Sequence, residues 1–139
     1  MIPAAYWLAG RAAHRAITGV PLIELELGTP KQTLDSATRA IRDALAALDT
    51  TTPWDDARII NLFVGAVAVA RSGTHPNWIP ALTALTGAAF RERLPPTARL
   101  FVGHRWSAIS MLAAELMFEG RASVRRIMDL CGVNVKEFA

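Results

Sequence analysis

The chain has 139 residues, of which 52% are hydrophobic and 19% are charged. This length and composition predict one domain over residues 1–139 and exclude a disordered tail, because the apolar content can offset the entropy lost on folding. The net charge of +3 does not by itself indicate a polyanionic partner, although 13 of the 15 cations are arginine. A lone Cys131 excludes an internal disulfide and a cysteine-based zinc cage.

The start of the chain, MIPAAYW, lacks the basic region of a secretion signal. No apolar run approaches the roughly 18 to 20 residues of a membrane span. We therefore expect a cytoplasmic protein with no membrane partner.

Apolar residues recur at helical spacing over 3–18, and Gly19 followed by Pro21 ends this predicted helix. The segment 20–27 then alternates, with Glu24 and Glu26 predicted to face outward. Its apolar residues are Leu22, Ile23, Leu25 and Leu27. This alternation is typical of a half-buried or edge strand. No partner strand is evident, so the strand either lies at an edge or pairs with a segment that otherwise reads as loop or helix.

The rest of the chain predicts further helices at 30–48, 55–71, 77–92 and 97–119, and a short one at 123–130. The helix at 55–71 is nearly all apolar and is expected to be the central, buried one. Gly120 ends the longest helix, Ser123 caps the last, and Gly132 stops it. We therefore predict a mainly α-helical α+β fold with five or six helices and one short β element. The tryptophans expected to be core or interface anchors are Trp54, Trp78 and Trp106.

The first helix carries a specific resemblance. Residues 5–12, AYWLAGRA, resemble the A-Y-H-E-A-G-H-A signature of the FtsH-type zinc peptidase domain. In that signature the two histidines bind zinc from one helix face and the glutamate takes a proton from the zinc-bound water. Trp7 stands here at the first histidine position, Leu8 at the glutamate position and Arg11 at the second histidine position.

The likeness extends past the motif, over about residues 4–130. Residues 19–28 are similar to the strand that follows the zinc helix. Residues 60–70 are similar to a helix whose pattern ends in an acidic residue in the family, and Val69 stands at that position here. The third ligand of the family, an aspartate, corresponds to Asn77. Residues 106–130 resemble the closing helix pair. The resemblance implies a reduced zincin-like peptidase domain and, since the chain begins at the motif, one without an ATPase module.

These replacements remove the zinc chemistry. Tryptophan and leucine cannot bind zinc, the permanent cation of Arg11 opposes a bound dication, and Asn77 is at best a weak neutral ligand. We therefore expect no catalytic residues, metal or cofactor. Trp7 and Arg11 are predicted to stack as an i, i+4 pair that fills the vacated groove. Alternatively, the cleft persists and Arg11 holds an anion or a partner's carboxylate.

The remaining titratable groups offer little chemistry. His14 shares the helix face of Trp7 and Arg11, and together with His75 it could form a relocated metal or acid–base site. The plainer interpretation is that both are surface or capped histidines. Cys131 sits at a helix end, where small buried residues are common.

The function expected from these residues is that of a pseudopeptidase, a non-catalytic domain that binds proteins as an adaptor or a subunit of a larger assembly. Arg11, His14 and His75 are candidate binding residues. One alternative is a nucleic-acid-associated accessory protein using an arginine surface of Arg121, Arg125 and Arg126. Residues 123–133 also resemble the first helix of a helix-turn-helix, but 134–139 are too short for a recognition helix. The second alternative is an enzyme of unrecognised type using His14 or His75.

Overall fold

The computed structural model describes residues 2–47, 57–73 and 96–133. Within these ranges the chain forms six helices and a two-stranded sheet: α1 (Ile2–Thr18), β1 (Leu25–Glu26), α2 (Pro30–Ala47), α3 (Ala57–Arg71), α4 (Pro96–His104), α5 (Trp106–Glu119), β2 (Arg121–Ala122) and α6 (Val124–Leu130). The predicted mainly helical α+β class is confirmed. The predicted helix at 77–92 and the residues Trp54 and Trp78 lie outside the described residues.

The helix α1 lies at the centre of the described fold. It packs against α3 on one side and α5 on another, and it also contacts α2 and α6. Its buried residues are mostly small: Ala4, Ala5, Trp7, Ala9, Gly10, Ala12, Ala13, His14 and Ala16. The helix α3, expected to be the central one, buries Phe63, Val64, Ala68 and Val69 in the same core. Alanine and glycine make α1 thin, so that helices can approach it from several directions.

The two strands are shorter than the alternation predicted. Leu25 pairs with Ala122 and Glu26 with Arg121 in antiparallel register, and the Leu27 N–H donates to the Gly120 carbonyl at 2.8 Å. The partner strand is confined between the end of α5 and the start of α6, so strand pairing is limited to Leu25 and Glu26. Glu24 and Glu26 are exposed, as predicted, and Ile23, which lies outside the paired segment, is also 72% exposed.

The helix ends follow local sequence signals. Thr29 and Gln32 form a reciprocal capping box at the start of α2, in which each side chain accepts a hydrogen bond from the other residue's backbone N–H (2.9 and 3.2 Å). Gly120 ends α5 with φ 78°, a left-handed conformation that favours glycine. Ser123 caps α6 by accepting from the Arg126 N–H at 3.1 Å. The predicted ends at these positions are confirmed.

The predicted helix at 97–119 is wrong as a single element, because the chain divides into α4 and α5 at Arg105 (φ −110°, ψ 15°). The Trp106 ring stacks on Tyr6 of α1, with 5.3 Å between centroids and 15° between planes. The Arg71 guanidinium lies 5.0 Å from the same ring. These contacts join α1, α3 and α5 directly after the break, which helical periodicity cannot reveal. Among the described helices, none is both long and apolar enough to cross a membrane.

Candidate functional site

The candidate site lies where α1 and α3 cross, and two glycines set their spacing. A Cβ on Gly10 would lie 2.9 Å from the Ala68 Cβ and 3.3 Å from the Val64 carbonyl oxygen. A Cβ on Gly65 would lie 2.8 Å from both the Arg11 Cγ and the Trp7 Cε3. The two backbones therefore approach more closely than any larger residue allows.

The side chains at the positions that resemble the zinc motif occupy this crossing. Trp7 is 1% exposed and lies against Gly65. The Arg11 guanidinium carbon lies 5.3 Å from the centre of the Trp7 ring, within cation–π range. Leu8 is partly buried against the hydrophobic core. The aromatic ring and the arginine stem thus fill the side of α1 that would carry two zinc ligands in an H-E-x-x-H helix.

A polar network of Arg11, His14 and Asn61 completes the crossing. The Arg11 Nε–H donates to the Asn61 Oδ1 at 2.9 Å. The Asn61 Nδ2 donates to the Arg11 carbonyl and to the His14 Nδ1, both at 3.0 Å. A flipped Asn61 amide would oppose donor to donor at Arg11 and acceptor to acceptor at the carbonyl, so these partners determine its orientation.

The amide orientation also determines the state of His14. Because Asn61 donates to Nδ1, that nitrogen must accept, and the neutral ring carries its proton on Nε2. Burial, followed by the nearby charge of Arg15, lowers the pKa of His14 below 6.5. The Phe101 ring meets the imidazole edge-on, with 5.1 Å between centroids. His14 is therefore a buried hydrogen-bond acceptor, and its Nδ1 is not available as a base or a metal ligand while Asn61 occupies it.

The electrostatics of Arg11 are unusual. Burial, followed by the charge of Arg15 one turn later, lowers the pKa of Arg11 from its usual value to about 10, which leaves the guanidinium charged at neutral pH. Within the described residues no carboxylate lies at ion-pair distance from Arg11 or Arg15. The site therefore suits an anion better than a cation.

The other candidate residues are distributed as follows. His75 and Asn77 lie outside the described residues. Arg121 and Arg125 are exposed on β2 and α6, while Arg126 donates to Glu115 at 2.8 Å. The structure therefore joins Arg11 to His14 within one network, while Arg121 lies on β2 and both Arg125 and Arg126 lie on α6. Among the described residues, no group of three or more His, Cys, Asp or Glu side chains could hold a metal ion.

Asn61 is the functional residue that the sequence interpretation missed. It is 5% exposed and bridges two residues of α1. Its signal was present, because it is the one polar residue in the apolar run 59–69 of α3 and lies one helical turn before Gly65. A buried amide must find hydrogen-bond partners, so a lone asparagine in such a run indicates a partner on the neighbouring helix.

Cys131 is 4% exposed, and burial raises the pKa of its thiol despite the opposing effect of Arg105. A raised pKa disfavours the nucleophilic thiolate, so the residue fits the small buried role expected from its position.

Comparisons with known proteins found no match to a family model, to a curated protein or to a solved structure.

Proposed function

We propose that this protein is a pseudopeptidase: a zincin-like domain that has lost its zinc chemistry and acts by binding another protein, as an adaptor or a subunit of an assembly. The likeness to the FtsH-type peptidase domain rests on the motif at residues 5–12. The proposal adds that the helix survives as a packing element, with its former catalytic positions reassigned to contacts with α3.

The observation that carries the non-catalytic half of this proposal is the filled α1–α3 crossing. Trp7 and the stem of Arg11 contact the space above Gly65, where even one added methyl group would meet both side chains at 2.8 Å. Hydrolysis of this kind requires an activated water, and activation needs a metal ion with an open coordination position or a base within reach of the water. Here the two motif positions are occupied by an aromatic ring and a cation.

The protein-binding half is supported by apolar side chains on the outer face of α5. Phe118 is 88% exposed and Met111 is 54% exposed. These residues are seven apart, so they lie on one side of the helix, and the exposed Ala114 lies between them. Exposed apolar surface of this kind marks interaction sites on proteins of this size.

The first test is the metal content of the purified protein by mass spectrometry, with and without a wash in mild chelator. We expect no zinc bound above the level of the washed sample, and no chelator-sensitive cleavage of a casein substrate. About one tightly held zinc per chain, or cleavage that chelator abolishes, would contradict the proposal.

The second test concerns the partner and uses two matched surface variants. Proteins cross-linked to the tagged chain in its native host are identified by mass spectrometry for the wild type, Phe118→Ser and Ile23→Ser. Both positions are exposed, at 88% and 72%, but only Phe118 belongs to α5. We expect a partner that Phe118→Ser loses and Ile23→Ser retains. Equal recovery with both variants would contradict a role for α5.

The second candidate function is nucleic-acid association, favoured by the exposure of Arg121 and Arg125. Neither forms an ion pair with a carboxylate within the described residues. Binding through phosphate contacts weakens steeply with salt. A band shift of DNA or RNA at 50 mM NaCl that disappears in about 200 mM NaCl would support it, and no shift at the lower salt would remove it.

A further inference from the structure

The guanidinium of Arg11 is held in place by contacts that leave its outer end unused. Its stem lies against Gly65, its guanidinium carbon lies 5.3 Å from the centre of the Trp7 ring, and its Nε–H is bonded to Asn61. An arginine carries five N–H donors, of which this arrangement uses one. Within the described residues, the two Nη groups have no protein acceptor. A fixed pair of parallel donors therefore remains.

The charge at this position is also uncompensated. Arg15 follows Arg11 by one helical turn, and like charges at this spacing are mutually unfavourable. Elsewhere on the molecule the comparable side chain, Arg126, is paired with Glu115 at 2.8 Å. No such carboxylate accompanies Arg11 or Arg15 within the described residues. An external anion would relieve a repulsion that the described protein groups leave in place.

We propose that Arg11 and Arg15 form a binding site for a carboxylate group, with the two Nη groups of Arg11 as a bidentate fork and Arg15 as a second cation. A planar carboxylate matches two parallel N–H donors. Because Asn61 already accepts from Nε, the carboxylate approaches the Nη end of the guanidinium rather than its side. The cost of ordering the arginine is already met by Trp7 and Asn61, which favours binding.

The site goes beyond the proposed function and does not depend on it. A small organic acid and an acidic side chain of a partner protein carry the same chemical group. The two sources are distinguished below by using a free acid and a blocked peptide as separate probes.

The test follows the arginine Nε–Hε signals of the ¹⁵N-labelled protein by NMR during a titration with sodium acetate, at ionic strength held constant with NaCl. We expect a saturable shift of the Arg11 signal and a smaller, unsaturated shift of the exposed Arg99 signal. Equal, unsaturated shifts of both signals would overturn the proposal.

Two variants test the roles of the side chains. Arg15→Gln leaves every described Arg11 contact intact and should weaken acetate binding about twofold to fivefold, as loss of one solvent-screened charge does. The matched control Arg99→Gln, on α4, should not change the affinity. An unchanged affinity in Arg15→Gln would remove Arg15 from the site. Arg11→Lys lacks the Nε–Hε reporter, so it is compared with the wild type through the side-chain amide signals of Asn61, which contacts Arg11. Once its fold is checked by the backbone amide spectrum, this variant should lose the saturable shift that Asn61 shows in the wild type, and retention of that shift would overturn the proposal.

Three further probes identify the ligand class. Saturation by acetyl-Gly-Glu-Gly-amide, but not by its glutamine counterpart, would support an acidic side chain as the source. Saturation by acetate alone would support the site but assign it to a small organic acid, and would leave the adaptor function without support from Arg11. Saturation by inorganic phosphate, but by neither carboxylate probe, would overturn the carboxylate assignment.

Discussion

The α1–α3 crossing and the α5–α6 surface each hold an arginine through its Nε, in different surroundings. At the crossing, Arg11 donates to the neutral amide of Asn61, which is 5% exposed and also bonds His14. At the surface, Arg126 donates to both oxygens of Glu115 at 2.8 and 3.1 Å, with side chains 49% and 24% exposed. At the surface both partners carry a full charge. At the crossing the acceptor is neutral, but three polar groups, two on Arg11 and one on His14, form their hydrogen bonds with Asn61.

This difference predicts which contacts matter for stability. A screened surface ion pair contributes about 0 to 1 kcal/mol, whereas a buried polar group left without a partner costs about 1 to 3 kcal/mol. The variants below compare the two regions directly, beginning with the largest expected effect.

Replacing Asn61 with leucine should have the largest effect. The change leaves the Arg11 Nε–H, the Arg11 carbonyl and the His14 Nδ1 without their partner. We expect the free energy of unfolding to fall by about 3 kcal/mol in urea denaturation at pH 7.5. The control is Thr38→Val, which removes a hydroxyl that bonds only within its own helix, to the Leu34 carbonyl. If Asn61→Leu cost no more than this control, the network would not stabilise the crossing.

The close approach of the helices predicts the next effect. Gly65→Ala places a methyl group 2.8 Å from Trp7 and Arg11, so we expect a loss of about 2 kcal/mol in spite of the better helix propensity of alanine. Gly103→Ala is the matched control, because its Cβ would meet only the Arg71 Nη1, at 3.6 Å. That variant should be more stable than the wild type by about 0.5 to 1 kcal/mol. Equal effects of the two substitutions would contradict the close contact.

The sequence predicted those features that depend on a few neighbouring residues. The ends of α1, α5 and α6 followed from Gly19, Gly120 and Ser123, each of which acts within one turn of the chain. The i, i+4 stacking of Trp7 and Arg11 followed from helical spacing for the same reason.

The features that were missed depend on residues far apart in the chain. Asn61 acts on Arg11 across 50 positions, and the partner of β1 lies almost a hundred residues later. The break at Arg105 accompanies the stacking of Trp106 on Tyr6. Periodicity describes one element at a time, so it cannot show which polar residue meets which backbone. A carboxylate at Arg11 was one of the alternatives that the sequence left open, but the sequence could not show that Asn61 occupies Nε and leaves the two Nη groups as donors.

The network also predicts a pH dependence of stability. The pKa of His14 is lowered in the folded state by burial and by Arg15, so the unfolded chain binds the proton first. Stability must therefore be lost as pH falls below about 6.5, and the contribution of His14 is fully present above that value. We expect urea denaturation between pH 7.5 and 5.5 to show a decline in the wild type that His14→Gln reduces. The idea would fail if both proteins had the same pH profile.

The smallest effect is expected at the surface pair. Glu115→Gln and Arg126→Gln remove the ion pair but leave the Arg126 backbone N–H bonded to Ser123, so the cap of α6 is retained. In a double-mutant cycle we expect a coupling of about 0.5 kcal/mol or less, which decreases further in 1 M NaCl because exposed charges are screened. A coupling above about 1.5 kcal/mol, or one that salt does not change, would mean that charge pairing stabilises this protein as strongly as the buried amide does. In that case the lack of a paired carboxylate at Arg11 would lower the stability of the fold substantially. A bound anion at Arg11 would then stabilise the fold more than the weak coupling expected here implies.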